Sequence, residues 1–347
     1  MQQRNITLFI PGLLGASVLR EQRYFDGLAV AELELMLSRG RHSHTAEQDP
    51  QTKLFKLFGH SVSDEGLPVA AVTHLADQGT EPESFCLRAD PVHLLPDRDR
   101  VVMMGSDDLS VSLAEAQQLA EEFNRLFAED GLQLETPLAE RWYLKAERAP
   151  AIRTRPLNRV VGQDIHQYLP SGADAMQWHG ILNEVQMLFH ASPVNEARRR
   201  RGLPEINSLW FWGEGAMPAL PQLRWQQVWS NAPLSLALAR LGGSERAALP
   251  ASAEEWLEQA QAGGRHLVEI EAVADALAQQ DLQRWRDMVE SVNDDWLLPL
   301  IAALRTNSLA SIRLLSDNAE FELDAKGLKR WWRRRRSLGL MSLRLSA

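Results

Sequence analysis

One cysteine in 347 residues, Cys86, excludes an intrachain disulfide and any cysteine-rich zinc site. It stands in Phe85-Cys86-Leu87, an apolar run in which a buried thiol is expected rather than a nucleophile. No stretch reaches the ~20 apolar residues that a helix needs to cross a bilayer. The opening MQQRNITLFIPG lacks the layout of a secretory leader, so the chain reads as cytoplasmic. No histidine follows His266, and there is no repeat or low-complexity tract. A net charge of −9 argues against a protein coated with nucleic acid, although basic residues cluster locally.

The length favours two domains over one. Ile6 to Ile10 is a continuous apolar run stopped by Pro11-Gly12, as expected of a buried parallel strand opening an α/β domain. A helix is predicted from Ala29 to Leu37, then a polar loop over 41–52. Leu67 to Leu75 fits a helix or a strand–helix step. Val92-His93-Leu94-Leu95, a turn at Pro96 to Asp99 and Arg100 to Met104 read as two strands. A helix follows, with Ser112 and Glu115 as its capping box and Gly131 as its stop. Trp142 to Leu144 reads as another strand, which makes a module distinct from the opening one. Leu182 to His190 and Glu196 to Arg201 read as helices. Ser208 to Gly213, His266 to Ile270 and Ile312 to Leu315 read as strands, and Asp281 to Leu304 as one long amphipathic helix.

Several of these segments resemble the archaeal-type cofactor-independent phosphoglycerate mutases of the alkaline phosphatase superfamily. Residues 107–127 resemble that family's helix after an acidic turn. Asp164 to Gly172 and Pro193-Val194-Asn195 resemble its "eyLP.G" and "hPVN" stretches. Asn207 to Gly215 is similar to "NaiwlWGqG", and Glu269 to Ala272 to "hvEA". A bacterial family of RpfE-type regulatory proteins, also described as phosphoglycerate mutases, is more similar still. The resemblance implies a doubly wound, mostly parallel sheet domain from residues 1–86 and 205–347. It also implies a smaller α/β lid domain inserted over 87–204.

The family moves a phosphoryl group through a serine held between two divalent metals, which polarise the phosphoryl oxygens and lower the nucleophile's pKa. The matching positions here depart from that chemistry. Pro11 stands where the first aspartate ligand falls, and Ala274 and Ala278 stand where the next aspartate and histidine fall. The later Asp-His pair appears as Asp317-Asn318. The nucleophile falls near Asp49-Pro50, with Thr52 the nearest hydroxyl. The metal site therefore reads as lost, with no cofactor implied and Asp275 and Asp317 the remaining metal candidates.

Arg88, Asn195, Arg198 and Asn207 match polar family positions that face the cleft. They are the candidates for binding a small phosphate- or carboxylate-bearing metabolite; their other reading is structural. His42 and His44 fit a metal pair or a solvated loop, and His190 a ligand, a base or a helix cap. Trp210 and Trp212 fit core packing or a stacking platform. Arg198 to Arg201 reads as a solvated helix end. The tail Lys326 to Arg336 fits a nucleic-acid or anionic-membrane contact, or a final helix whose tryptophans pack on the body. The favoured expectation is a binding or regulatory protein, with a protein partner among its candidate ligands, that has lost phosphoryl transfer. Against it stands an active phosphomutase or phosphoesterase with a relocated or single-metal site on Asp275 and Asp317, and beside it a regulator acting through the tail.

Overall fold

The computed structural model describes residues 3–15, 19, 21–44, 49–61, 66–82, 84–98, 100–105, 109–222, 224–316 and 319–345. The strands in chain order are β1 (Arg4–Phe9), β2 (Arg41–His44), β3 (Phe85–Asp97), β4 (Arg100–Met104), β5 (Leu132–Glu135), β6 (Tyr143–Ala146) and β7 (Ile152–Arg153). After them come β8 (Ser171–Gly172), β9 (Ser208–Trp212), β10 (Gln227–Trp229), β11 (Glu245–Ala247), β12 (Arg265–Glu269), β13 (Leu309–Leu315) and β14 (Ala319–Asp324). The chain divides into two compact units, residues 1–61 with 219–347, and residues 62–218. Among the described residues no helix is long and apolar enough to cross a membrane.

The first unit holds a seven-stranded sheet in the order β11-β10-β12-β1-β13-β14-β2. The strands from β11 to β13 are parallel, and β14 and β2 add an antiparallel edge. β1 is central because Ile6, Leu8 and Phe9 bury side chains on both faces, the burial a helix-covered parallel sheet provides. Leu33, Met36, Trp256, Trp285, Leu300 and Ile301 belong to the core that packs with Ile6 and Leu8.

The long helix expected over 281–304 is broken. Leu282–Ser291 and Leu298–Arg305 are α-helical, and Val292–Leu297 between them is a π-helical turn. That turn presents Asn293, whose Oδ1 accepts from the amides of Glu32 and Leu33, each at 2.9 Å. Helix Ala31–Arg39 has Val30 at its N-cap and no side-chain cap of its own, so Asn293 supplies one from afar.

The loop expected over 41–52 contains β2 and the start of helix Pro50–Leu57. An edge strand tolerates Arg41 and His42 because it leaves side chains in water, which hid it from a hydrophobicity pattern. The tail is not one packed helix either. A short helix covers Ala325–Leu328 and another Leu338–Leu345, while Trp331 and Trp332 between them are 79% and 64% exposed.

The second unit is built on antiparallel strands in the order β4-β3-β6-β5, with β9 also paired to β3. β3 is 13 residues long and pairs with β6 at Phe85–Arg88, with β9 at Arg88–Val92 and with β4 at His93–Asp97. Helices Leu113–Leu126 and Ala175–His190 pack through Leu119, Phe123, Trp178 and Phe189 against Leu87, Leu209 and Phe211 of the sheet. The Ser112–Glu115 capping box is fully formed. Helix Val69–Gln78 settles the ambiguity at Leu67–Leu75 and packs with Cys86 and Tyr143 through Ala70. The unit runs from 62 to 218 where the sequence suggested 87 to 204. The helix goes with Cys86 and Tyr143, and β9 goes with the strand it pairs.

Candidate functional site

In open parallel sheets the reactive crevice lies beyond the carboxyl ends of the strands. In the first unit those ends are Pro11-Gly12 after β1, Ile270-Glu271 after β12 and Ser316 after β13. Two backbone bonds tie them together: Ile10 N donates to Leu315 O at 2.9 Å and Ile270 N to Phe9 O at 3.0 Å. Gly12 has φ +78°, and a Cβ there would lie 3.0 Å from Leu277 Cδ1 and 3.1 Å from Ala274 Cα. The indole of Trp285 donates to Gly12 O at 3.0 Å and fixes the turn. The turn after β1 therefore sits directly on helix Ala272–Ala278, and Ala274 and Leu277 close the gap between them.

Lys53 closes the same edge. It is only 5% exposed, and its ammonium donates to the carbonyl of Ser316. Its helix begins at Pro50 with Asp49 as the cap, whose carboxylate accepts from Thr52 N at 3.2 Å. Thr52, the candidate nucleophile, thus occupies the first turn of a capped helix. Asp275 lies on the exposed side of helix Ala272–Ala278. Asp317 and Asn318 lie outside the described residues. The side chains of Pro11 and Ala274 offer no ligand atom, and Lys53 places a buried amine at the end of β13. Among the described residues, those at these strand ends do not fit a pair of divalent metals. Among the described residues no three His, Cys, Asp or Glu side chains are grouped to hold a metal.

Glu269, the last residue of β12, is 3% exposed. Its Oε2 accepts from the Ser230 hydroxyl at 2.7 Å, and Ser230 Oγ in turn accepts from Ala232 N at 2.9 Å. Loss of hydration pushes the Glu269 carboxyl above its ordinary range, and the Ser230 hydroxyl offsets that only in part.

In the second unit Arg88 is buried with Asp90 two residues along the same strand face. Arg88 Nε donates to Asp90 Oδ1 at 3.1 Å and its Nη2 donates to the same oxygen. Trp212 Nε1 donates to Asp90 Oδ2 at 2.7 Å, and the guanidinium stands 5.2 Å from the Trp212 ring and 5.5 Å from that of Tyr143. Below it Arg141 pairs with Asp77 at 2.7 Å, and His74 meets Glu135 at 3.2 Å. This is a neutralised polar core in which Arg88 already has its carboxylate.

The other three binding candidates serve the backbone. Asn195 is 0% exposed; its amide donates to Phe189 O and Ile206 O and accepts from Ile206 N, each at 2.8 Å. Arg198 is 0% exposed, which corrects its place in the expected solvated helix end, while Arg199, Arg200 and Arg201 are exposed. It donates to Pro204 O at 2.7 Å, to Glu115 at 3.1 Å and to Leu109 O. Asn207 accepts from Leu94 N at 2.7 Å and donates to Leu94 O at 2.9 Å, acting as an extra rung beside β3. Each candidate has its own partners, and no contact gathers the four into one site.

Trp210 and Trp212 are both buried, with Trp210 donating to Arg155 O at 2.8 Å, so that strand offers core packing and no stacking platform. Burial pushes the Cys86 thiol up to about 12, which keeps it protonated and unreactive. His190 is exposed, 4.0 Å from Glu205. His42 stacks on Phe321 at 4.8 Å between centroids; the side chain of His44 lies outside the description. Sequence reasoning missed Lys53, Glu269 and Asp90. The spacing Arg88-x-Asp90 could have revealed the last, since residues two apart share a strand face.

No protein-family model matches the chain. A probable 2,3-bisphosphoglycerate-independent phosphoglycerate mutase of Geobacter sulfurreducens is 26% identical over 154 residues, 44% of this chain and 38% of that protein. The 2,3-bisphosphoglycerate-independent phosphoglycerate mutase of Methanothrix thermoacetophila is 34% identical over 67 residues, 19% of this chain and 17% of that protein. The chain thus spans well under half the length of these relatives. Among solved structures, the cofactor-independent phosphoglycerate mutase of Thermoplasma acidophilum superposes with a TM-score of 0.53 at 15% identity, covering 99% of this chain and 95% of that one. The PH0037 protein of Pyrococcus horikoshii gives a TM-score of 0.59 at 12% identity, covering 93% and 88%. The fold is like that of the cofactor-independent phosphoglycerate mutase.

Proposed function

We propose that this phosphoglycerate mutase-like chain does not transfer phosphate through a metal pair and acts as a binding or regulatory protein. The observation that carries the reading is the close approach of Gly12 to Ala274 and Leu277, which closes with an alanine and a leucine the strand-end position where the chemistry needs ligands. Lys53 supports it, because its buried side-chain nitrogen already donates to the Ser316 carbonyl at the end of β13. A phosphomonoester dianion repels a neutral-pH hydroxyl nucleophile unless cations polarise it. One ammonium at Ser316 and a capping turn at Thr52 do not replace two metals.

The reading assigns no metabolite to Asn195, Arg198 or Asn207, whose polar atoms are committed to the backbone and, for Arg198, also to Glu115. Elemental analysis of the purified chain, with an assay of 3-phosphoglycerate and 2-phosphoglycerate interconversion in added manganese, tests it. The expected result is substoichiometric metal and no turnover. Two metals per chain with metal-dependent mutase activity would overturn it.

A further inference from the structure

The last 23 residues, 325–347, carry eight lysines and arginines and no acid, in a chain whose net charge is −9. Residues 329–336 are neither helix nor strand, yet they are anchored. Arg330 donates to Arg39 O at 2.8 Å and Arg333 to Gly40 O at 3.0 Å. Arg335 pairs with Glu34 at 2.8 Å, and Arg336 N donates to Ser38 Oγ at 3.0 Å. These bonds fix the segment along helix Ala31–Arg39 and consume three of its guanidinium groups. Lys329, Arg334 and Arg336 are exposed, and their charged ends make no hydrogen bond or ion pair among the described residues. The anchoring thus sorts the cations into those that hold the segment and those it presents.

Between the segment and the sheet edge lies a cleft of about 540 Å³, within the size range of small-ligand sites, walled by Trp332, Arg334, Arg336, His42, Phe321 and Met341. His42 and Phe321 stack at an interplanar angle of 27° and make one aromatic wall, and the exposed Trp332 ring makes another. Aromatic faces beside unpaired guanidinium groups suit a planar base joined to phosphates. A duplex keeps its bases stacked on one another, so the complementary chemistry is an unpaired strand. A membrane anchor would set its apolar side chains clear of the charges. Here charge and aromatic wall share one concavity, and Leu338 of the following helix is turned inward at 1% exposure.

We propose that residues 329–336 and the cleft beside Trp332 bind single-stranded nucleic acid, with phosphates on Lys329, Arg334 and Arg336 and a base against Trp332. This is independent of whether the strand-end site has lost its metals.

Fluorescence anisotropy of a labelled 12-nucleotide oligo(dT) with the full chain tests it. Three neutralised phosphates give a log–log salt slope of roughly −2 on a single strand. Binding should therefore weaken roughly fifteen- to twentyfold between 50 and 200 mM salt. Arg334→Ala with Arg336→Ala should weaken binding at least tenfold and flatten the slope. Trp332→Ala should weaken it with the slope unchanged. Arg199→Ala with Arg200→Ala, in the chain's other basic run, should leave it unchanged, and circular dichroism checks that every variant is folded. No binding at 50 mM salt, equal losses from both basic runs, or tighter binding of a 12-base-pair duplex would each overturn the proposal. So would uptake by phosphatidylglycerol vesicles that depends on Trp332 while oligo(dT) stays unbound.

Discussion

The Cβ that Gly12 lacks would sit 3.1 Å from the Cα of Ala274. One residue lies in the turn after the central strand, the other in the first turn of the helix after β12, and their contact depends on both side chains being minimal. Gly12→Ala forces an L-residue into a left-handed backbone at φ +78° and pushes against Ala274 and Leu277. The backbone part alone costs about 1–2 kcal/mol. Urea denaturation should show at least that loss, and added manganese should not restore it. A variant as stable as the parent would mean that the two elements stand further apart.

Arg88 and Asp90 form a buried pair, and a single truncation leaves the survivor charged and enclosed. Arg88→Leu should cost about 3–5 kcal/mol. Arg88→Leu with Asp90→Leu should cost less than the two single changes summed, because no unpaired charge remains. Strict additivity in denaturation midpoints would show that the two side chains do not couple.

Glu269 ties stability to pH. An unfolded glutamate ionises near about 4.3, whereas burial raises the folded value, so above that pH the folded chain holds a proton that the unfolded chain has released. Stability from this group is full below the unfolded pKa and is lost as pH rises towards the folded one. Glu269→Gln keeps an acceptor for the Ser230 hydroxyl and removes the titration. Its stability should match the parent near pH 4 and exceed it at pH 8, giving a flatter curve. Parallel curves for the two proteins would refute the assignment.

Much of this was legible from residues alone, and the gaps have physical reasons. Ile6 to Ile10 announced a central strand because burial on both faces leaves a run with no polar interruption. Ser112 and Glu115 announced a helix start because the cap is a local bond. β2 was invisible because an edge strand needs no apolar pattern, and the π-turn at Val292 was invisible because it preserves the amphipathic stripe on either side. Asn195, Arg198 and Asn207 showed as polar residues in familiar motifs. Whether a polar side chain faces a ligand or the backbone is decided by burial, which no spacing encodes. Lys53 has the same lesson in reverse, since a lysine in PQTKLFKL looks like solvated surface until the fold closes over it.

The place of β1 between β12 and β13 governs how the chain is made. The strand is made before every other described strand, yet one partner begins at Arg265 and the other at Leu309. Asn293, which caps the first long helix, is equally late. Residues 62–218 are contiguous and can condense during synthesis, whereas the flanking sheet must wait until Leu309–Leu315 has been made. An apolar strand kept waiting that long is a natural client for a chaperone. Truncations before Leu309 should leave the inserted unit compact and the amino-terminal strand without a home.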